Sequence, residues 1–224
     1  MGKMIELKTS DGKTIDAYRA EPSGKPRGAM IVIQEIWGVN RHIRKVADGY
    51  AADGYLAIAP SLFDRSERGS AMDEYTPDTM KKGFGLMQQI NMDNAMLDVQ
   101  AAVDVAKEAG KVGIVGYCLG GRVAWMSAAQ VKGLSAAVGY YGGGIPSMAA
   151  LQPKCPVLLH FGALDQHIPV ASVEEFKKSH PAVPVHIYEG ADHGFNCDER
   201  PSYNAAAAKL ARERTIEFLR KHIG

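Results

Sequence analysis

The stretch Gly116-Tyr117-Cys118-Leu119-Gly120 sets a thiol between two glycines, after the apolar run Val112–Tyr117 and before the Ala-rich run Arg122–Ala129. Gly-x-Cys-x-Gly in that setting has the spacing of a nucleophile elbow, with sulfur in place of the serine oxygen. A nucleophile on so tight a strand-to-helix turn sits in a strained backbone, and side chains two residues to either side would clash, hence the glycines. The turn aims the thiol over the strand's carboxyl end. There the following helix presents free N–H groups and the positive end of its dipole. These surroundings favour a thiolate and supply an oxyanion donor, the Leu119 N–H.

A nucleophile needs a base, and the base needs an orienting acid. Behind an elbow the expected chain order is nucleophile, acid, histidine. After Cys118 come Asp165, in "VLLHFGALDQHIPV", and His193, in "IYEGADHGFN", each just past the carboxyl end of an apolar strand pattern. His160 and His186 lie inside strand patterns and are expected to pack or hydrogen-bond in the core. His167 belongs to the surface or a pocket rim, and His42 and His180 to solvated helix positions. Cys155, before Pro156, is expected to be structural.

Two other chemistries compete for the same residues. Glycine-rich turns after strands also cradle dinucleotide phosphates, but Gly116, Gly120 and Gly121 do not follow G-x-G-x-x-G. The next strand, ending "AVGYYGGG", offers no acid for a ribose hydroxyl. Cys118 could instead be a redox or metal centre, with His193 and Cys197 meeting it at one rim as zinc ligands; no C-x-x-C pair accompanies them, and three side chains fall short of a closed site. A non-catalytic binding protein is the remaining alternative, and it would have no need of all three of Cys118, Asp165 and His193.

The elements that must carry these residues are short β-branched runs alternating with helical patterns. Strands are expected at Met4–Thr9, Thr14–Arg19, Ala29–Gln34, Leu56–Ala59, Val112–Tyr117, Ala136–Tyr140, Val157–Phe161 and Val185–Tyr188. The first two flank the turn signal Asp11-Gly12 and read as an antiparallel hairpin. Helices are expected near Ile43–Ala52, Asp93–Ala109, Leu119–Gln130, Ala171–Ser179 and Ser202–Lys221. The later strands are apolar throughout, as strands buried on both faces should be. The fold class is therefore α/β: a mostly parallel eight-stranded sheet with an antiparallel N-terminal hairpin, helices on both faces, and one domain over residues 1–224. Residues 61–91 interrupt the alternation. They read either as a solvated excursion with a short helix or as a flap over a pocket, with Phe84 and Met87 as lining candidates.

With 46% hydrophobic residues the chain can bury one large core, and 26 Lys plus Arg against 25 Asp plus Glu leave it near neutral. That balance gives no electrostatic case for nucleic acid or an anionic membrane. Three cysteines, sparse and odd in number, argue against a disulfide framework and for a reducing cytoplasm. No signal peptide or membrane-spanning run is apparent.

The motifs "QEIWGVN" (34–40), "GYLAIAPSLFDR" (54–65), "GIVGYCLGGR" (113–122), "AVGYYGGG" (137–144), "HFGALDQHIP" (160–169) and "ADHGFNCDERPSYNAAAA" (191–208) span nearly the whole chain. In them the sequence resembles the dienelactone hydrolase (carboxymethylenebutenolidase) family of the α/β-hydrolase superfamily. The resemblance implies hydrolysis of an ester or lactone through a thiol acyl-enzyme, without metal or organic cofactor; the chain is expected to be a monomer. Cys118 would attack the carbonyl, His193 would relay protons, Asp165 would hold its tautomer, and the N–H groups of Leu119 and Ile36 would bind the oxyanion. It further implies that Glu35 contacts the thiol and helps deprotonate it once substrate relieves the glutamate of an arginine partner.

Here the chain departs from the family pattern. The family arginine four residues after the histidine is Cys197, and where a second one belongs the chain reads "DTMKKGF". Arg200, Lys81 or Lys82 could serve instead, though lysine is a poorer planar carboxylate clamp than arginine. The substrate is accordingly dienelactone-like or a different small ester lacking the carboxylate. Trp37, Tyr117, Tyr141 and Phe195 are the aromatic candidates for a pocket, with Trp37 and Tyr117 favoured because they adjoin the oxyanion and nucleophile segments.

Overall fold

Eight strands do form, and one sheet holds them all in the computed structural model, which describes residues 2–224. The strands are β1 (Lys3–Lys8), β2 (Thr14–Ala20), β3 (Ala29–Ile33), β4 (Leu56–Pro60), β5 (Val112–Tyr117), β6 (Leu134–Tyr140), β7 (Val157–Gly162) and β8 (Val185–Tyr188). The helices are α1 (Arg41–Ala52), α2 (Pro77–Gln89), α3 (Met92–Ala106), α4 (Leu119–Gln130), α5 (Val170–Ser179) and α6 (Ala205–His222). In space the strands run β1-β2-β4-β3-β5-β6-β7-β8. The β1–β2 and β2–β4 pairs are antiparallel and all others parallel. The expected hairpin and parallel body are both present.

β3 and β5 are buried at every position, which is why they read as continuous apolar runs. Each fully buried Ile or Val there contributes roughly 1.5–3 kcal/mol relative to exposure. Because β3 has β4 on one side and β5 on the other, the chain order reverses between them. Such a switch point opens a crevice at the carboxyl ends of the strands.

The helix starts explain where the chain turns. Asn40, Asn91 and Asn204 cap α1, α3 and α6, each side chain accepting an N–H from the first turn. α2 opens on a capping box between Thr76 and Thr79, with Pro77 in the first turn. α4 begins instead on Cys118, whose side chain makes no capping bond, so the thiol is left free.

The excursion at 61–91 is tied to α3 and to the turn between β1 and β2. Arg65 makes bonds of 2.9 and 3.0 Å to the buried carboxylate of Asp98 in α3 and reaches Asp11 at 2.7 Å. α2 then lies directly on the loop after β3. A Cβ on Gly83 would overlap the Ile36 carbonyl oxygen, and Trp37 Nε1 donates to Thr79 Oγ1 at 3.2 Å. Among the described residues no helix is long and apolar enough to cross a membrane.

Candidate active site

The elbow has the strained geometry its glycines foretold. Cys118 has φ 55°, and among the described residues only Tyr141, at the end of the neighbouring β6, is another non-glycine with positive φ. A Cβ on Gly116 would overlap the Gly120 carbonyl, and one on Gly121 would come within 2.6 Å of the Tyr140 carbonyl oxygen. Backbone packs on backbone at both positions, so nothing bulkier than glycine fits. Cys118 N donates to Tyr140 O at 3.0 Å, which ties the turn to β6. Leu119 is the first residue of α4, so its N–H has no acceptor within the helix. Both Leu119 and Ile36 face the same cleft as Cys118.

His193 and Asp165 come from the loops after β8 and β7, and the parallel order brings both to the rim that carries Cys118. His193 Nδ1 lies 2.7 Å from Asp165 Oδ2, while Asp165 Oδ1 accepts the His167 N–H at 2.9 Å. Burial would raise the Asp165 pKa, but the His193 hydrogen bond and charge hold it below the usual carboxylate value. Burial likewise opposes a charge on His193; the adjacent Cys118 sulfur and the Asp165 carboxylate overcome it and raise the pKa to about 10. Imidazole and carboxylate thus form a proton-carrying chain on the same cleft as the thiol. Such a chain can generate a nucleophile and later return a proton to a leaving group.

Glu35 lies two residues past β3, beneath this rim, and is 2% exposed. A carboxylate there needs a partner, and Arg200 supplies it: Nη1 donates to Glu35 Oε1 at 3.2 Å, with the guanidinium 4.9 Å above the Trp37 ring. Burial works against the Arg200 charge, and Glu35 together with Tyr141, Cys118 and Cys197 outweighs it, so the pKa is raised. Cys197 is buried next to this pair and donates to the Tyr75 hydroxyl at 3.4 Å. Burial, then the charge of Glu35, pushes the Cys197 thiol up to about 12, so it stays protonated.

The structure relocates several residues. His42 is not solvated: it is buried on the inner face of α1, and Asp198 Oδ1 lies 3.4 Å from its Nδ1. His180 is also buried and contacts the Ala149 carbonyl at 2.8 Å. Among the described residues, the metal-capable grouping is Glu35, His42 and Cys197, with ligand atoms within 4.8 Å of one another, and neither Cys118 nor His193 belongs to it. Arg200 against Glu35 would repel a cation placed there. Tyr117 and Phe195 do not line the cleft. Tyr117 lies under the elbow with its ring 4.8 Å from that of Tyr140, and Phe195 is fully buried against Tyr141 and Tyr188. Strand alternation turns Tyr117 inward where Cys118 turns out. Lys82 stands outside the cleft, paired with Glu67 at 2.6 Å.

The cleft itself has a volume of about 280 Å³. Trp37, Arg200, His167 and His193 line it as the sequence suggests, and Met80, Phe84 and Met87 of α2 form an apolar wall facing the thiol. Phe84 is 42% exposed, a large apolar side chain left uncovered at the mouth. Arg122, Gly143, Gly144 and Met80 complete the lining, and sequence reasoning missed them. The signal for Arg122 was its place one helical turn after the nucleophile.

A mostly parallel sheet with an antiparallel N-terminal pair, an elbow after β5 and an acid and histidine after β7 and β8 defines an α/β-hydrolase. Solved esterases of that class share the fold, among them one from Pyrococcus furiosus at a TM-score of 0.69 and 17% identity, covering 100% of this chain and 93% of that one. The dienelactone hydrolase family model matches residues 15–223. A carboxymethylenebutenolidase from Pseudomonas putida is 36% identical over 224 residues, covering 96% of this chain and 94% of that one. A Klebsiella pneumoniae crystal structure assigned provisionally as a dienelactone hydrolase superposes with a TM-score of 0.86 at 30% identity, covering 99% of this chain and 100% of that one. The chain belongs to the dienelactone hydrolase family and is a hydrolase acting on ester bonds.

Proposed function

We propose that the chain hydrolyses a small ester or lactone through a thiol acyl-enzyme, with Cys118 as nucleophile, His193 as general base and acid, and Asp165 holding the histidine tautomer. The observation that carries this reading is the strained Cys118 elbow facing a His193–Asp165 pair closed at 2.7 Å. The Cys118 sulfur attacks the carbonyl carbon, and the oxyanion takes hydrogen bonds from the Leu119 and Ile36 N–H groups. The carbon–oxygen bond to the alcohol then breaks, and His193 gives that oxygen its proton. Water, deprotonated by His193, attacks the thioester; the carbon–sulfur bond breaks, the acid leaves and the thiolate returns. These residues handle every proton, so no step calls on a metal or organic cofactor.

Glu35 is the reserve base for the thiol. At rest it is held by Arg200, which takes the part of the arginine the family places four residues after the histidine. Substrate that draws Arg200 away frees Glu35 to take the thiol proton. Three free thiols suit a reducing compartment.

The test is hydrolysis of cis-dienelactone and of p-nitrophenyl acetate by wild type and Cys118→Ala. Turnover lost in the variant supports the thiol mechanism, and full activity in it means another nucleophile operates. Cleavage of the simple ester alone keeps the mechanism and moves the substrate away from dienelactone.

A further inference from the structure

A second cavity lies behind the nucleophile elbow, between α1, the first half of α6 and the loop after His193. Tyr117 forms part of its wall, and it shares no lining residue with the cleft. Its volume is about 320 Å³, larger than that of the cleft.

Three buried nitrogens without a hydrogen-bond partner belong to residues that line this cavity: His42 Nδ1 and Nε2, and Arg212 Nη1. His42 is 3% exposed, and its approach to Asp198 Oδ1 at 3.4 Å lacks the geometry of a hydrogen bond. Arg212 spends Nη2 on Asp53, a carboxylate outside the cavity wall, and its guanidinium sits 4.0 Å over the Tyr50 ring. That stacking fixes the guanidinium and leaves Nη1 without an acceptor.

The charges around the cavity are unequal. Lys45, Lys209 and Arg212 line it against a single acid, Asp198, which is taken by Lys45. Lys209 is exposed at the mouth and forms no ion pair among the described residues. The first turns of α6 close the same wall through Ala205 and Ala208 and add the positive end of the helix dipole. His42 also reaches toward the catalytic rim, with a ring nitrogen within 4.8 Å of Glu35 and Cys197. The Glu35 charge is met by Arg200 and does not oppose an anion here. Buried donors without acceptors are costly. Water could accept from them, but three cations against one acid favour an acceptor that carries charge.

We infer that this cavity is a binding site for a small oxyanion, held by Arg212 Nη1 and Lys209 with His42 and Asn196 donating beside them. The site is separate from the ester-binding cleft and does not depend on which residue is the nucleophile. A carboxylate and a phosphate present the same chemistry to these donors, and the test distinguishes them.

The experiment titrates inorganic phosphate, and separately benzoate, into the whole protein by isothermal titration calorimetry, and follows the His42 imidazole proton resonances during each titration. The proteins are wild type, Arg212→Lys, Lys209→Glu and Arg122→Gln. The expected result is binding that shifts the His42 signals, weakens on the order of tenfold in Arg212→Lys and in Lys209→Glu, and is unchanged in Arg122→Gln. The probe bound more tightly identifies the class of oxyanion. Lys209 is exposed and unpaired, so Lys209→Glu keeps the test open if Arg212→Lys fails to fold. Neither heat nor a His42 shift with either probe at tens of millimolar would mean that the cavity takes water only, and would overturn the inference. Binding lost in Arg122→Gln but retained in Lys209→Glu would place the anion in the cleft and overturn it equally.

Discussion

Arg200 and Glu35 stand 165 residues apart in the chain and 3.2 Å apart in the fold. Gly194, with φ +79°, makes the approach possible, because a Cβ there would overlap the Arg200 guanidinium. The arginine comes seven residues after His193, so the loop through Cys197 delivers from a new position the charge that Glu35 requires.

Removing one partner leaves the other buried and unpaired. Arg200→Gln should therefore destabilise the protein by about 3 kcal/mol, whereas Arg200→Gln with Glu35→Gln should cost clearly less than the sum of the single changes. Urea denaturation of the four proteins in the cycle measures the coupling. Additive effects would show that the pair contributes nothing beyond its separate members.

Asp165→Asn keeps the volume of the side chain but presents an N–H donor where His193 Nδ1–H needs an acceptor. Turnover should drop on the order of a thousandfold or more, with the far-ultraviolet circular dichroism unchanged. Cys118→Ser should also fold and lose most of its turnover, since a hydroxyl needs more help from the base than a thiol does.

The charge on His193 makes stability depend on pH. Its pKa is raised from 6.5 to about 10 in the folded protein, so the charged histidine stabilises the fold fully below pH 6.5, and this contribution disappears as pH rises to about 10. Wild type should thus lose stability between pH 6.5 and pH 10 more steeply than His193→Gln does. Parallel slopes of urea midpoint against pH for the two proteins would refute a raised histidine pKa.

Two glycines in α2 should respond to alanine with opposite signs. At Gly85 a Cβ would meet nothing within 4 Å, and the helix-propensity gain should stabilise by about 0.5–1 kcal/mol. At Gly83 the same gain is outweighed by overlap with the Ile36 carbonyl, an overpacking cost of about 1–3 kcal/mol. Because Ile36 carries the proposed oxyanion N–H, Gly83→Ala should also lower kcat/KM while Gly85→Ala leaves it alone. Thermal melts and esterase assays on both variants test the pair.

Much of the fold was legible because its signals are local. Uninterrupted apolar runs such as Ala29–Ile33 mark strands buried on both faces, and Asp11-Gly12 marks the hairpin. α2, in the polar stretch 61–91, reads only as an unplaced short helix, and its cap at Thr76 and Thr79 with Pro77 emerges from the structure. Residues whose assignment depends on which face they turn to were harder. Tyr117 adjoins the nucleophile in sequence but alternates to the opposite side, and His42 occupies the one face of α1 that packs inward.

By itself the sequence determined the elbow and the order of Cys118, Asp165 and His193, because the glycine spacing of a tight turn and the alternation of strand and helix are written over a few residues at a time. Only the tertiary structure decided the charges around them. Ion pairing is settled by distance across the rim, so Arg200 went to Glu35, Lys82 went to Glu67, and Arg122 was left unpaired in the cleft.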